Sequence, residues 1–224
     1  MSSYFRIDVR LETEIERVIG TDRFGPYLAA AGNRADALRL YAWNVALAGA
    51  FIGPISVIEV ALRNAIAERL NAAYGPTWYD NGAFLALDAT PRTRENVNTA
   101  KNRITRAVPA RPVTEGRVVA EMYLSFWAYL LRPALNRTLW PTLRPGFQRY
   151  THRKTLLRYV EPLVPFRNRV AHHEPIFDRR PKDMYEGLLL IADMVSPDLA
   201  PWLEHHTRLR QVLADGPVTT GVKF

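Results

Sequence analysis

Apolar residues along this chain recur at helical spacing, and no stretch alternates as a strand does. Leu11, Ile15, Val18 and Ile19 fall on one face of a helix that ends near Gly20. Asp36 to about Gly49 reads as a second, strongly apolar helix. Pro54, a residue favoured at the first helical position, opens a third to about Ala73, which Tyr74-Gly75-Pro76 stops. Thr90-Pro91 looks like an N-cap followed by a first-turn proline and predicts a polar helix to about Ala107. After the Pro109–Pro112 linker, Thr114 caps a long apolar helix ending near Arg132. Further helices are predicted over Tyr150 to Val164, Pro165 to His173, Lys182 to Met194 and Leu199 to Ala214. Val218 to Phe224 is the one weak strand candidate. The pattern predicts an all-α helical bundle with additional N-terminal helices. It forms a single domain over residues 1–224, with an N-terminal extension over 1–35 and a flexible tail over 215–224.

Composition narrows the function. The 48% hydrophobic and 23% charged content suits a folded globular chain. Lys plus Arg number 30 against 22 acidic residues, a net charge of +8, which attracts polyanions. All but Lys101, Lys154, Lys182 and Lys223 of these cations are arginines, whose planar fork suits phosphate. No cysteine is present, which excludes disulfide scaffolds, cysteine nucleophiles and thiolate metal sites. The start, MSSYFRIDVRLETE, lacks the apolar core of a secretory leader, so a cytoplasmic location is expected. From Leu40 to Ile58 no residue carries a formal charge, a run close to the ~20 residues that span a bilayer. Asn44, Ser56 and Gly53-Pro54 interrupt that run, and Glu59 and Arg63 follow it. Two helices buried against a protein core are therefore expected, with no stable membrane insertion.

Phosphate-binding glycine loops, zinc-protease motifs and nucleophile elbows are all missing. His172-His173-Glu174 and His205-His206 are sequence neighbours that point apart on a helix, so neither a metal nor a cofactor is expected. What remains is R-N-x-x-x-H, from Arg167 through Asn168 to His172. Asn168 and His172 are four apart and share a helical face, so the amide can orient the imidazole. Arg167 and His172 are about 140° apart on an ideal helix and converge only if it loosens. Pro175 supplies the reason, because the residue before a proline leaves the α region and the helix should end around His173–Glu174. An arginine and a titratable histidine facing a polyanion suffice for phosphodiester cleavage by the 2′-OH of RNA. The histidine moves a proton and the guanidinium stabilises the phosphorane charge. The bland readings are a surface salt bridge for Arg167 and a helix-end residue for His172.

Other polar groups are open to two readings. Arg92, Arg94, Lys101, Arg103 and Arg106 form the most basic stretch, which is either a solvated face or, with Arg169 beside the motif, an RNA contact. Glu59, Arg63 and Asn64 stand on an otherwise apolar helix and are expected to pair with one another. The functional alternative makes them supporting residues, with Arg63 near the motif. Trp43, Trp78, Trp127 and Trp140 are most simply core.

The Arg167-to-His172 segment resembles the R-x4–6-H motif of HEPN domains. More narrowly, the chain resembles the Abi-like (AbiD/AbiF type) abortive-infection proteins through three blocks. One is Tyr41-Ala42-Trp43-Asn44, then Glu59 to Ile66, then Tyr74-Gly75-x-x-Trp78-Tyr79. Another is Gly116 to Glu121 leading into Leu124-Ser125-Phe126-Trp127 and Trp140. The last is Leu163 through Phe177. The resemblance implies a HEPN-like bundle and a homodimer with two motifs facing each other. It also implies a metal-independent endoribonuclease that leaves 2′,3′-cyclic phosphate ends, acting in anti-phage defence or as a toxin. An antitoxin protein or regulatory small RNA as partner follows from the same resemblance. Carried over by position, Arg167 and His172 are the catalytic pair and Asn168 orients, while His173 has no assigned role. Some HEPN domains carry a modifiable tyrosine where this chain has Glu174. The competing expectation is a non-catalytic HEPN-fold module that binds RNA or a partner.

Overall fold

A computed structural model describes residues 8–217. Among them are twelve α-helices, three short 3-10 turns and no strand, so the all-α helical architecture is as expected. The helices are α1 (Val9–Ile19), α2 (Thr21–Ala31), α3 (Arg34–Tyr74), α4 (Gly82–Leu85), α5 (Arg92–Arg106) and α6 (Glu115–Glu121). They continue with α7 (Leu124–Leu130), α8 (Trp140–Leu143), α9 (Arg153–Ala171), α10 (Pro181–Val195), α11 (Leu199–His206) and α12 (Leu209–Asp215). The helices α1 and α2 precede the long α3, as the N-terminal pattern implies. The strand candidate Val218 to Phe224 and most of the expected tail lie outside the described residues.

The chain packs as two compact units, each discontinuous in sequence. One contains the chain up to Gly53, Asn168–Asp183 and the chain from Thr207; the other contains Pro54–Arg167 and Met184–His206. In the first, Phe24, Tyr27, Trp43, Leu47, Ile176 and Val212 are buried. The Tyr27 ring meets Tyr41 edge-on at 5.1 Å and Phe177 at 5.3 Å, and Trp43 Nε1 donates to the Val212 carbonyl at 2.8 Å. In the second, Trp78 lies 5.4 Å from Phe84 and 6.2 Å from Trp127, all three buried. There Glu115 accepts from Trp78 Nε1 at 3.0 Å and from Asn71 Nδ2 at 2.5 Å, which ties the end of α3 to the start of α6.

Two helix starts expected at prolines are corrected. Pro54 does not open a helix but lies inside α3. An internal proline costs ~3 kcal/mol, yet a buried stripe runs through it at Leu47, Phe51, Ile55, Ile58, Leu62, Ile66 and Leu70. Each such side chain contributes ~1.5–3 kcal/mol on burial, so keeping the stripe in register outweighs one lost hydrogen bond. Pro162 and Pro165 likewise lie inside the single helix α9. Both are exposed, opposite a stripe of Leu156, Val160, Leu163, Phe166 and Val170, so water can satisfy the carbonyls they free.

Conversely, the helix expected from Thr114 to Arg132 is broken at Met122 and Tyr123, both in extended conformation. Met122 is buried, while the Tyr123 ring lies under the Arg103 guanidinium at 4.4 Å. Thr207-Arg208 similarly separates α11 from α12, where one helix was expected. By length and composition α3 alone among the described helices is apolar enough to cross a membrane.

Candidate active site

The end of α9 is built by backbone hydrogen bonds that leave His172 on a fixed corner. His172 N–H donates to the Asn168 carbonyl at 2.9 Å, extending helical register one residue past Ala171. His173 then takes the left-handed conformation with φ 56°, donating to the Val170 carbonyl at 3.2 Å, while Glu174 N–H reaches back to the Arg169 carbonyl at 2.9 Å. This pair of bonds is a Schellman cap with His173 where glycine is usual. Holding a side chain there costs ~1–2 kcal/mol, so the surroundings must enforce it. They do so on both sides. Arg23 Nη1 donates to the His173 carbonyl at 2.5 Å, and Arg169 pairs with Glu174 at 3.1 Å across the cap.

Asn44 holds the chain that follows. Its Oδ1 accepts from Ile176 N–H at 2.8 Å and Phe177 N–H at 3.1 Å, and the residue is only 3% exposed. The sequence pattern marks Asn44 as an interruption in an apolar run and does not reveal its positioning role. The only available signal was a lone amide on a buried helical face, which must find a partner. Asn168, His172 and His173 are exposed. Asn168 and His172 share a face of the helical turn, as expected from their spacing.

Arg167 belongs to the other unit, one residue before the boundary within α9. Its Nε donates to Glu59 Oε1 at 3.0 Å, with side-chain exposures of 37% and 23%. The expected mutual pairing of Glu59, Arg63 and Asn64 is therefore corrected: Glu59 is engaged by a residue from the motif helix instead. Arg63, one turn further along α3, keeps a buried Nε without a hydrogen-bond partner, and Asn64 is exposed. The Glu59 contact occupies Nε of Arg167, which leaves its terminal nitrogens for an anion.

The basic helix is not uniform. Lys101 is taken by Asp80 at 2.7 Å, and Arg103 by the Tyr123 ring. Arg92 stacks on Tyr129 at 4.6 Å, and Arg94 and Arg106 are exposed. Its start is capped less by Thr90 than by Asp88, whose carboxylate accepts from Thr93 N–H, Thr93 Oγ1, Thr90 N–H, Thr90 Oγ1 and Tyr129 Oη. Partial burial works against that charge, but these donors outweigh it and bring the Asp88 pKa down to about 2. Among the described residues no group of three or more His, Asp or Glu side chains converges as a metal site would require.

The family model for Abi-like protein matches residues 2–178. The chain belongs to the Abi-like family. Neither the curated proteins nor the solved structures contain a match to it. The matched span takes in every part of the Abi-like chain just described, from Arg23 and Asn44 to the Schellman cap and Phe177. It ends one residue past the backbone that Asn44 holds. Family membership makes an abortive-infection role the coarse functional statement for this chain.

Proposed function

We propose that this Abi-like protein is of the AbiD/AbiF type within the HEPN superfamily and acts as a metal-independent endoribonuclease in anti-phage defence or as a toxin. The observation that carries the reading is the R-N-x-x-x-H motif at the capped end of α9, with Arg167 held through Nε by Glu59 and His172 exposed on a fixed corner. In the reaction the 2′-oxygen attacks phosphorus and the 5′-oxygen departs, giving a 2′,3′-cyclic phosphate and a 5′-OH end. One His172 imidazole takes the 2′ proton, and a second protonates the leaving oxygen on the opposite side of the in-line displacement. Two such histidines come from a homodimer, and Arg167 stabilises the charge that develops on the phosphorane. Asn168 orients the imidazole from the preceding turn.

Arg63 supports the same reading, since an orphaned buried guanidinium nitrogen near Glu59 on α3 favours an incoming anion. The protein acts in the cytoplasm, restrained by an antitoxin protein or a small RNA. The test is purified protein incubated with total cellular RNA in EDTA, beside the His172→Ala and Arg167→Ala proteins. Cleavage to cyclic phosphate ends by the wild type, lost by at least about a hundredfold in both variants with unchanged helical content, is expected. Cleavage retained in both variants would overturn it. RNA that binds with a steep salt dependence yet stays whole would favour the non-catalytic binding module.

A further inference from the structure

The two arginines bracketing Tyr129 frame a cavity of about 290 Å³ within the second unit, and nothing in the R-N-x-x-x-H motif accounts for it. Arg92 comes from the first turn of α5 and Arg132 from just after α7, with their Cζ atoms 4.6 Å and 5.7 Å from the centre of the Tyr129 ring. Ser125 of α7 lines one side and Val164 and Pro165 of α9 another. The ring between the two cations is itself fixed. Tyr129 Oη donates to Asp88 Oδ1 at 2.9 Å and meets Thr90 Oγ1 at 3.0 Å.

Two carboxylates stand near this arrangement: Glu161 of α9, which lines the cavity, and Asp88, whose lone pairs five donors from Thr90, Thr93 and Tyr129 already use. Arg92 has no ion-pair partner among the described residues. Arg132 has only Glu161 at 3.5 Å, with both side chains about half exposed, a pair that water screens. Arg92 is thus held in place with no counter-charge, and Arg132 with only a long, screened one. Their planar donor forks match the oxygens of a phosphate, and a cavity at the small end of the usual ~300–1,000 Å³ range takes one nucleotide unit.

We propose that this Arg92–Tyr129–Arg132 cavity binds one phosphodiester of single-stranded RNA, less than one turn of α9 before Arg167. Val164 and Pro165 precede Arg167 by three and two residues, or about 3–5 Å of helical rise. A strand held here is anchored beside the arginine assigned to the scissile phosphate. Aromatic rings interleaved with cations along a basic surface are what single-strand binding uses. The inference rests on RNA being the substrate, and it adds an anchoring site separate from the motif.

The test uses the full chain carrying His172→Ala, so that RNA stays intact, and a short fluorescein-labelled oligoribonucleotide read by anisotropy across a salt series. Adding Arg92→Met and Arg132→Met is expected to weaken binding about tenfold or more and to lower the log–log salt slope by ~0.7 per phosphate released. Replacing the same two by lysine is expected to keep the slope and lose only part of the affinity, because the charge stays and the fork goes. Removing the same charge elsewhere in this unit, with Arg137→Met and Lys154→Met, is expected to leave affinity within about twofold, since screened charges at a distance contribute little.

Equal binding by the Arg92/Arg132 methionine pair and its parent overturns the proposal, as does an equal loss in the Arg137/Lys154 pair. Competition by inorganic phosphate or AMP as effective as that by unlabelled RNA assigns the cavity to a free phosphate and overturns the RNA anchor. Cleavage, read separately with His172 intact, keeps the two readings apart. RNA held through the pair but never cut refutes the ribonuclease and leaves this site standing, whereas RNA cut equally well without the pair does the reverse.

Discussion

Asn44 and Asp88 do the same job in two different ways. Each is a polar side chain that accepts several hydrogen bonds and thereby fixes the chain beside a candidate site. Asn44 is neutral and buried, and it holds backbone 132 and 133 residues away at Ile176 and Phe177. Asp88 is charged and partly exposed, and its donors Thr90 and Thr93 are two and five residues on, with Tyr129 the one distant member. The buried amide joins distant sequence and is indifferent to pH. The carboxylate organises a local turn and depends on keeping its charge. Long-range order at Ile176 and Phe177, after the cap, is therefore built from a neutral group, and local order beside Arg92 from an ionised one.

The largest expected effect breaks the buried side of this comparison. Asn44→Leu keeps the branched shape but strands one buried and one part-buried N–H group and adds bulk to a packed site, at a cost of about 2–5 kcal/mol. For a chain of this size that lowers the melting temperature by roughly 5–15 °C, readable by circular dichroism. On the ribonuclease reading, cleavage falls further than the unfolded fraction explains, because the segment after His172 loses its anchor. Asp88→Asn is the matching change on the exposed side. It keeps one acceptor oxygen and turns an amide N–H2 toward existing donors, with an expected loss of about 1–3 kcal/mol at neutral pH.

Acid then separates the two. Asp88 has a folded-state pKa of about 2 against an ordinary 3.8, so its stabilisation is complete above about pH 4 and disappears as pH falls through 2. Denaturant melts over that window should show the deficit of Asp88→Asn relative to wild type shrinking toward zero. The Asn44→Leu deficit should stay constant, and a parallel decline in both would erase the distinction. The smallest effect on stability is expected from Glu59→Gln, ~1 kcal/mol for a part-buried ion pair still reached by water. On the ribonuclease reading its signature lies in catalysis instead. With Arg167 Nε held only by a neutral acceptor, kcat should drop several-fold while KM and melting temperature change little, since orientation of a charge-stabilising group acts on the transition state.

Helical periodicity carried most of the architecture, and it failed at particular residues for physical reasons. Pro54 and Pro165 argue locally for helix starts, yet both lie inside long helices because the apolar stripe continues past them in register. Nothing in Glu121-Met122-Tyr123-Leu124 signals a break, but burying Met122 and placing Tyr123 under Arg103 requires one. The motif itself was legible as far as its parts are close in sequence. The i, i+4 relation of Asn168 and His172 and the end of the helix before Pro175 follow from spacing and backbone sterics alone. The left-handed His173 did not follow, since a histidine in the usual glycine position is held there by Arg23 and by the Arg169–Glu174 pair rather than by its own preference.

By itself, then, the sequence of this Abi-like chain determined what depends on neighbours within a few turns. That includes the all-α class, the apolar faces, the R-N-x-x-x-H arrangement and the net charge that favours a polyanion. Only the tertiary structure decided which partner each polar group takes. Glu59 turned from Arg63 to Arg167, Lys101 was neutralised by Asp80 while Arg92 stayed unpaired, and Asn44 became the anchor of Ile176 and Phe177. The physical reason is range. Backbone preference and helical periodicity act over a few residues and can be read in order along a chain. A buried hydrogen bond or ion pair has to be satisfied by whatever the packed core brings within about 3 Å of it, however far away in sequence that group began.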